Sequence, residues 1–134
     1  MGARIMYKLG TRSKKRLQGL HPDLVGVVER AIELSGTDFT VLEGVRTKER
    51  QMDLFDLGAS KTMNSRHLTG HAVDLGALHN GLITWDWEYY YVIAAAMKQA
   101  AKEQSVDLEW GGDWKTFRDG PHFQLSWAKY PKEA

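Results

Sequence analysis

Ser65-Arg66-His67-Leu68-Thr69-Gly70-His71-Ala72-Val73-Asp74-Leu75 is the stretch on which the reading of this chain turns. It begins without hydrophobic periodicity, as loops do, and ends in Ala72-Val73-Asp74-Leu75, a short strand by composition. Gly70 allows a tight turn between the two parts. Strand alternation puts Ala72 and Asp74 on one face and turns His71 and Val73 to the other. A loop histidine, His67, is thus followed by a strand carboxylate, and imidazole and carboxylate are both good zinc ligands. His71 is the weaker ligand candidate. Ala72, small and beside Asp74, leaves room for a metal and its water.

Outward from this stretch, His21-Pro22-Asp23 places a proline where helices start, and Leu24, Val27, Val28, Ala31 and Leu34 recur at helical spacing as far as Ser35-Gly36. The spacing predicts a helix over 22–35. Phe39-Thr40-Val41-Leu42 is rich in strand formers and runs into Gly44, and 47–56, with Met52, Leu54 and Phe55, reads as a helix with Arg46 at the junction. Residues 60–70 read as a loop and Asn80-Gly81 as a turn. Over 86–104, Tyr89, Val92, Ile93, Ala96, Met97 and Ala100 mark a long helix with a core-facing stripe. From 106 to 127, strand-like pieces alternate with Gly111-Gly112 and Gly120-Pro121 turns. The order α, β, α, β, α, β, β predicts a small α+β domain over 1–134, its helices packed on an antiparallel sheet that carries the site.

Composition narrows the chemistry. The 134 residues are 43% apolar and 26% charged, ordinary for one globular domain. A formal charge of +1, from 18 basic and 17 acidic residues, gives no field for non-specific nucleic-acid binding, so no nucleic-acid partner is expected. Lys14, Lys15 and Arg16 read as a solvated face. With no cysteine, disulfides, thiolate metal sites and cysteine nucleophiles are excluded, and a metal must be held by His, Asp or Glu. No apolar run reaches signal-peptide or membrane-span length, which predicts synthesis in a cytoplasm, no Sec signal and no membrane insertion. Met6 breaks the myristoylation pattern that Met1-Gly2 opens.

A second histidine comes with Asp119-Gly120-Pro121-His122-Phe123-Gln124-Leu125, where the proline imposes extended backbone before it and His122 opens a strand. His67, Asp74 and His122 together would leave one tetrahedral position free, the pattern of a catalytic zinc that acidifies water. Hydrolysis also needs a carboxylate near that water, and Asp119 can reach it across the Gly-Pro turn without being a ligand. On spacing alone, ordinary surface or core roles for His67 and Asp74 stand beside the ligand reading. His21 and His79 read as ordinary histidines.

Four pieces of the chain together resemble a known family. S-x-H-x-x-G-x-A-x-D from Ser65 to Asp74 and D-x-x-H from Asp119 to His122 resemble the signature of the zinc D-alanyl-D-alanine carboxypeptidase and dipeptidase superfamily. G-x-R-T-x-x-x-Q from Gly44 to Gln51 and W-G-G-D-W from Trp110 to Trp114 resemble its L-alanyl-D-glutamate peptidase branch, the phage endolysins and related wall hydrolases. The likeness runs from about residue 7 to 127. It implies one zinc per chain on His67, Asp74 and His122, with Asp119 as general base and Arg46 stabilising charge on the scissile carbonyl. Ser65 would orient the loop or the ligand carboxylate, and Gln51, Trp110, Asp113 and Trp114 would line the cleft. A turn hydroxyl for Ser65, a surface ion pair for Arg46 and core packing for the aromatics are the plainer alternatives.

The resemblance implies a peptidase that cuts the L-Ala–D-Glu amide of peptidoglycan, a monomer without a separate wall-binding domain. Made in the host cytoplasm, it would reach the periplasmic wall after holin-mediated release. Its rivals are a D-alanyl-D-alanine carboxypeptidase or dipeptidase, a non-catalytic hedgehog-like zinc module, and a metal-free wall-binding protein.

Overall fold

The structure is a computed structural model, described here over residues 6–60, 62–63 and 65–131. Helix α1 (Thr11–Arg16) is followed by α2 (Pro22–Leu34), strand β1 (Asp38–Glu43), α3 (Lys48–Asp56) and a short 3-10 turn, Arg66–Thr69. Then come β2 (Ala72–His79), β3 (Leu82–Thr84), α4 (Trp87–Glu103), β4 (Leu108–Trp110), a second 3-10 turn (Gly111–Asp113) and β5 (His122–Leu125). The sheet is antiparallel in the order β1-β2-β5-β4, with β3 on the far end of β2.

Strand alternation gives the two faces of this sheet different characters. Val73, Leu75 and Ala77 of β2, Phe39 and Val41 of β1, and Phe123 and Leu125 of β5 are buried in one core beneath α2 and α4. The alternate residues face the other way. Register brings Asp74 opposite His122, Ala72 opposite Gln124, and Glu109 opposite Gln124. A polar row thus runs across three strands on the face away from the core, joined at its edge by Glu43, which pairs with Asp74 beyond a bulge in β1.

The helix expected over 22–35 is α2, started by Pro22 and capped by His21, whose Nδ1 accepts the Asp23 amide hydrogen at 3.1 Å. In α4 the predicted stripe is rotated. Tyr90, not Tyr89, is buried, Ala94 and Ala101 join Ile93, Met97 and Ala100, and Val92 is 40% exposed. The Tyr90 hydroxyl explains this, since it accepts from the Ala77 amide at 3.1 Å and donates to the Thr84 carbonyl at 2.8 Å, so the larger ring can be buried with its polar end satisfied. The Asn80-Gly81 turn is present, both residues with positive φ, and it leads into β3, a strand that the sequence pattern does not predict.

Helix α1 is likewise absent from the predicted element order. It lies against β1, with Arg16 Nη1 donating to the Val41 carbonyl at 2.9 Å, so one member of the basic cluster is structural while Lys14 and Lys15 are exposed. This packing brings the Arg16 backbone so close to Gly44 that a Cβ there would meet the Arg16 carbonyl oxygen at 2.1 Å. Gly44→Ala must therefore displace α1 or the end of β1. We expect a loss of about 3 kcal/mol, a fall in Tm of roughly 10 °C, checked by thermal unfolding.

Candidate active site

His67 sits on the 3-10 turn Arg66–Thr69, where a histidine is held by its surroundings rather than by a long element. Ser65 caps the turn, its Oγ accepting the His67 amide hydrogen at 3.2 Å, and Gly70 ends it at φ 77°. Arg66, 3% exposed, donates to the carbonyls of Leu125, Ser126 and Tyr130 and lies 3.9 Å over the Trp127 ring. This ties the turn to the C-terminal segment. The Arg46 amide, donating to the His67 carbonyl at 2.9 Å, ties it to the end of β1.

The ring nitrogens of the two histidines are assigned by their outer partners. His67 Nδ1 lies 3.0 Å from the Gly44 carbonyl oxygen, which can only accept, so Nδ1 carries the hydrogen and Nε2 a lone pair. On the other ring, His122 Nε2 lies 2.7 Å from Gln124 Oε1, while Gln124 Nε2 donates to Glu109 Oε2 at 3.1 Å. The Glu109 carboxylate fixes the amide's orientation, the amide oxygen then requires hydrogen on His122 Nε2, and His122 Nδ1 is left with a lone pair.

Both lone pairs point at the same carboxylate oxygen. Asp74 Oδ1 is 3.3 Å from His67 Nε2 and 3.2 Å from His122 Nδ1. His67 Nε2 is buried and has no hydrogen-bond partner, since two acceptors facing one another make no bond. Three inward acceptors, with the outer nitrogen of each imidazole already bonded, make a site suited to a cation between them, and the three ligand atoms lie within 4.8 Å of one another. A proton is the other possible occupant. Burial opposes a charged His122 ring, but the Asp74 carboxylate and Gln124 outweigh it and raise His122 above the ordinary histidine range. Burial alone would raise Asp74, yet His122 and His67 together hold it well below the usual carboxylate range.

Around this trio opens a cleft of about 680 Å³. Arg50 and Leu54 of α3, the segment after that helix, Trp114, Phe117 and Asp119, and Glu43, Arg46, His67, Asp74 and His122 all line it. Arg46 is braced on several sides. Its Nε meets Glu43 Oε1 at 2.5 Å, Nη1 donates to Gln51 Oε1 at 2.7 Å, and Nη2 is 3.7 Å from Asp74 Oδ2. Gln51 is fully buried, and its amide nitrogen donates to Ser60 Oγ at 2.8 Å and to the Thr62 carbonyl. It supports Arg46 from behind and does not line the cleft.

Asp119 lines the same cleft, partly buried, with its amide donating to the Gly111 carbonyl at 3.0 Å. Burial and then the Asp74 charge raise its carboxyl; His122, His67 and Arg46 act in the opposite sense without cancelling them. Trp114 lines the cleft with its ring 5.1 Å from that of His122. Trp110 and Asp113 do not line it. Trp110 is core, 4% exposed, with Nε1 donating to the Gly120 carbonyl, and Asp113 is on the surface, 2.7 Å from Lys98 Nζ. His71 turns to Thr69 Oγ1 at 2.7 Å and to the His21 ring, away from the trio.

Gln124 and Glu109 carry no role in the motifs, although Gln124 lies two residues beyond His122 on one strand and so shares its face. Gln124→Leu leaves His122 Nε2–H without its acceptor and frees the ring to turn. The expected result is a metal affinity about 10- to 100-fold weaker, measured by competition with a chromogenic chelator, with little change in the far-UV spectrum.

The chain is similar to known peptidases. A family model described as phage L-alanyl-D-glutamate peptidase matches residues 5–125. The L-alanyl-D-glutamate peptidase of Escherichia phage T5 is 37% identical over 117 residues, 84% of this chain and 85% of that one. The crystal structure of the Serratia marcescens L-Ala D-Glu endopeptidase ChiX superposes with a TM-score of 0.90 at 47% identity, covering 95% of this chain and 96% of that one. The vancomycin-resistance D,D-dipeptidase VanXYg shares the fold at a TM-score of 0.52 and 18% identity, over 79% of this chain and 50% of that one. On the family match and these identities, the chain belongs to the phage L-alanyl-D-glutamate peptidase family.

Proposed function

We propose that this chain is a zinc-dependent, endolysin-type peptidase that hydrolyses the L-Ala–D-Glu amide of peptidoglycan stem peptides. The observation that carries the metal is the set of three inward acceptors, His67 Nε2, Asp74 Oδ1 and His122 Nδ1, with the outer nitrogen of each imidazole already bonded. These residues would hold one zinc per chain. Zinc bound there supplies Lewis acidity, which acidifies water and polarises the scissile carbonyl. Asp119 takes the proton of the attacking water and passes it to the departing D-Glu nitrogen. Arg46, kept from swinging by Glu43 and Gln51, stabilises negative charge on the carbonyl oxygen as the amide carbon becomes tetrahedral. Ser65 holds the turn that carries His67, and Trp114 offers an aromatic surface beside His122 for the stem peptide.

The bond assignment is supported by the printed activities of the T5 and Serratia relatives. Among the described residues no helix is long and apolar enough to cross a membrane. We place the enzyme's action at the periplasmic wall after holin-mediated release from the host cytoplasm. A D-alanyl-D-alanine carboxypeptidase or dipeptidase shares only the fold, at 18% identity. A non-catalytic zinc module has no need of Asp119 and Arg46 lining one cavity with the trio.

The test is digestion of purified stem peptides with zinc-loaded protein and identification of the fragments by mass. Products beginning at D-Glu, with about one zinc per chain by elemental analysis, are expected. Release of D-Ala alone would overturn the bond assignment, and full hydrolysis by protein stripped of metal would overturn the zinc.

A further inference from the structure

The cleft is lined by three arginines among the described residues, Arg46, Arg50 and Arg66, and two are engaged. Arg46 is held by Glu43 and Gln51, and Arg66 by three backbone carbonyls and the Trp127 ring. Arg50 is exposed, and its hydrogen bond is that of its backbone amide to Thr47 Oγ1, at the cap of α3. A guanidinium with five donors and no carboxylate partner among the described residues, lining a substrate cleft, is positioned to receive an anion from outside the chain.

Its position on α3 strengthens this. Gln51, the next residue, is buried and braces Arg46, so the helix turn bearing Arg50 is fixed relative to the cationic group of the site. Leu54, four residues on and therefore on the same face of α3, lines the cleft as well. Arg50 thus lines the cleft while its side chain stays open to solvent.

The substrate class under Proposed function supplies a matching anion, and the inference rests on that reading. In an L-Ala–D-Glu amide continued through the glutamate side chain, the carbon bearing the scissile nitrogen also bears a free α-carboxylate. That carboxylate must enter the cleft with the bond. The acids lining the cleft, Glu43, Asp74, Glu109 and Asp119, would repel it, while Arg46 and Arg66 already have partners. We propose that Arg50 is a specificity-determining residue that binds the α-carboxylate of D-Glu on the leaving-group side of the scissile amide. Its preference is for the acid over the α-carboxamide, D-isoglutamine, a neutral group of the same shape.

The experiment compares N-acetyl-L-Ala-γ-D-Glu-L-Lys with its D-isoglutamine counterpart on zinc-loaded wild type, Arg50→Gln and Arg50→Lys. Zinc content and Tm are measured on the same preparations. Wild type is expected to favour the acid by about tenfold in kcat/KM, the lower range for a charge-assisted hydrogen bond because Arg50 is exposed. In Arg50→Gln that ratio falls to near one, mostly through KM on the acid substrate, with zinc and Tm at wild-type values. Arg50→Lys recovers part of it, since it restores the charge without the planar fork. An unchanged preference in Arg50→Gln, or no preference in wild type, overturns the role of Arg50 while leaving the bond assignment standing. Cleavage of both peptides at some other bond overturns the bond assignment, and the inference with it.

Discussion

His67→Ala, Asp74→Ala and His122→Ala should each purify without stoichiometric zinc and without measurable peptidase activity. Three protein ligands are the minimum of a catalytic zinc site, and loss of one leaves two donors and open solvent. The three variants differ in what else they disturb. His67 is 2% exposed and its Nδ1 hydrogen-bonds the Gly44 carbonyl, so His67→Ala opens a cavity and orphans an acceptor; it is expected to lose stability as well as metal. Asp74→Ala removes the group that faces both imidazoles, which lowers the raised His122 back toward, or below, the ordinary histidine range. The core lies on the opposite face of the sheet, so all three should fold, and added zinc should raise Tm in wild type but in none of the three. His71→Ala is the control and keeps its zinc, because His71 is engaged with Thr69 and the His21 ring. A full zinc complement in any of the three, by elemental analysis after dialysis, would sink the ligand assignment.

What the sequence disclosed of this site and what it hid follow from the range of the interactions. Local features are readable. Proline at the start of α2, Asn80-Gly81 between β2 and β3, and alternation along β2, which separates Asp74 from Val73 and Leu75, depend on neighbouring residues. The pairing of Asp74 with His122 joins residues 48 apart and is reached only through the combined motifs. Cross-strand supports are hidden for the same reason. Glu109 and Gln124 meet because β4 pairs with β5, so although Gln124 shares a face with His122 two residues before it, the carboxylate that orients its amide is not marked in the neighbouring sequence. The Trp110 to Trp114 motif shows a different limit. Its tryptophans and aspartate suggest cleft lining, but only Trp114 lines the cleft, and the first glycine is there for steric reasons, since a Cβ on Gly111 would meet the Asp119 carbonyl oxygen at 2.4 Å. That motif is therefore in large part a means of letting the Asp119 backbone approach. The rotation of the α4 stripe comes from tertiary hydrogen bonds, those of the Tyr90 hydroxyl to β2 and β3, which helical periodicity does not encode.

Asp119→Asn is the variant that separates a peptidase from a module that only binds metal. An amide of nearly the same shape replaces a carboxylate outside the ligand trio, and the Asp119 backbone is held independently, its amide on the Gly111 carbonyl and its carbonyl accepting the His122 amide at 3.2 Å. Zinc content and Tm should therefore stay at wild-type values. Hydrolysis of a peptidoglycan stem peptide should fall by about 10²- to 10⁴-fold, the range for a lost general acid–base group, because the amide has no basic site to take a proton from water and none to return to the leaving nitrogen. The pH profile supplies a second readout. A base works only when ionised, so activity should climb with pH as Asp119 loses its proton; burial and the Asp74 charge raise its carboxyl, and a dication held on the trio acts against them. In Asp119→Asn that ascending limb should vanish from the residual activity. Asp113→Asn is the matched control: its carboxylate is on the surface beside Lys98, and its rate and pH profile should be those of wild type. Near-normal turnover in Asp119→Asn, or loss of zinc there, would remove Asp119 from the proton transfer and leave Glu109, the remaining cleft carboxylate that neither meets the trio nor pairs with Arg46, as the group to test next.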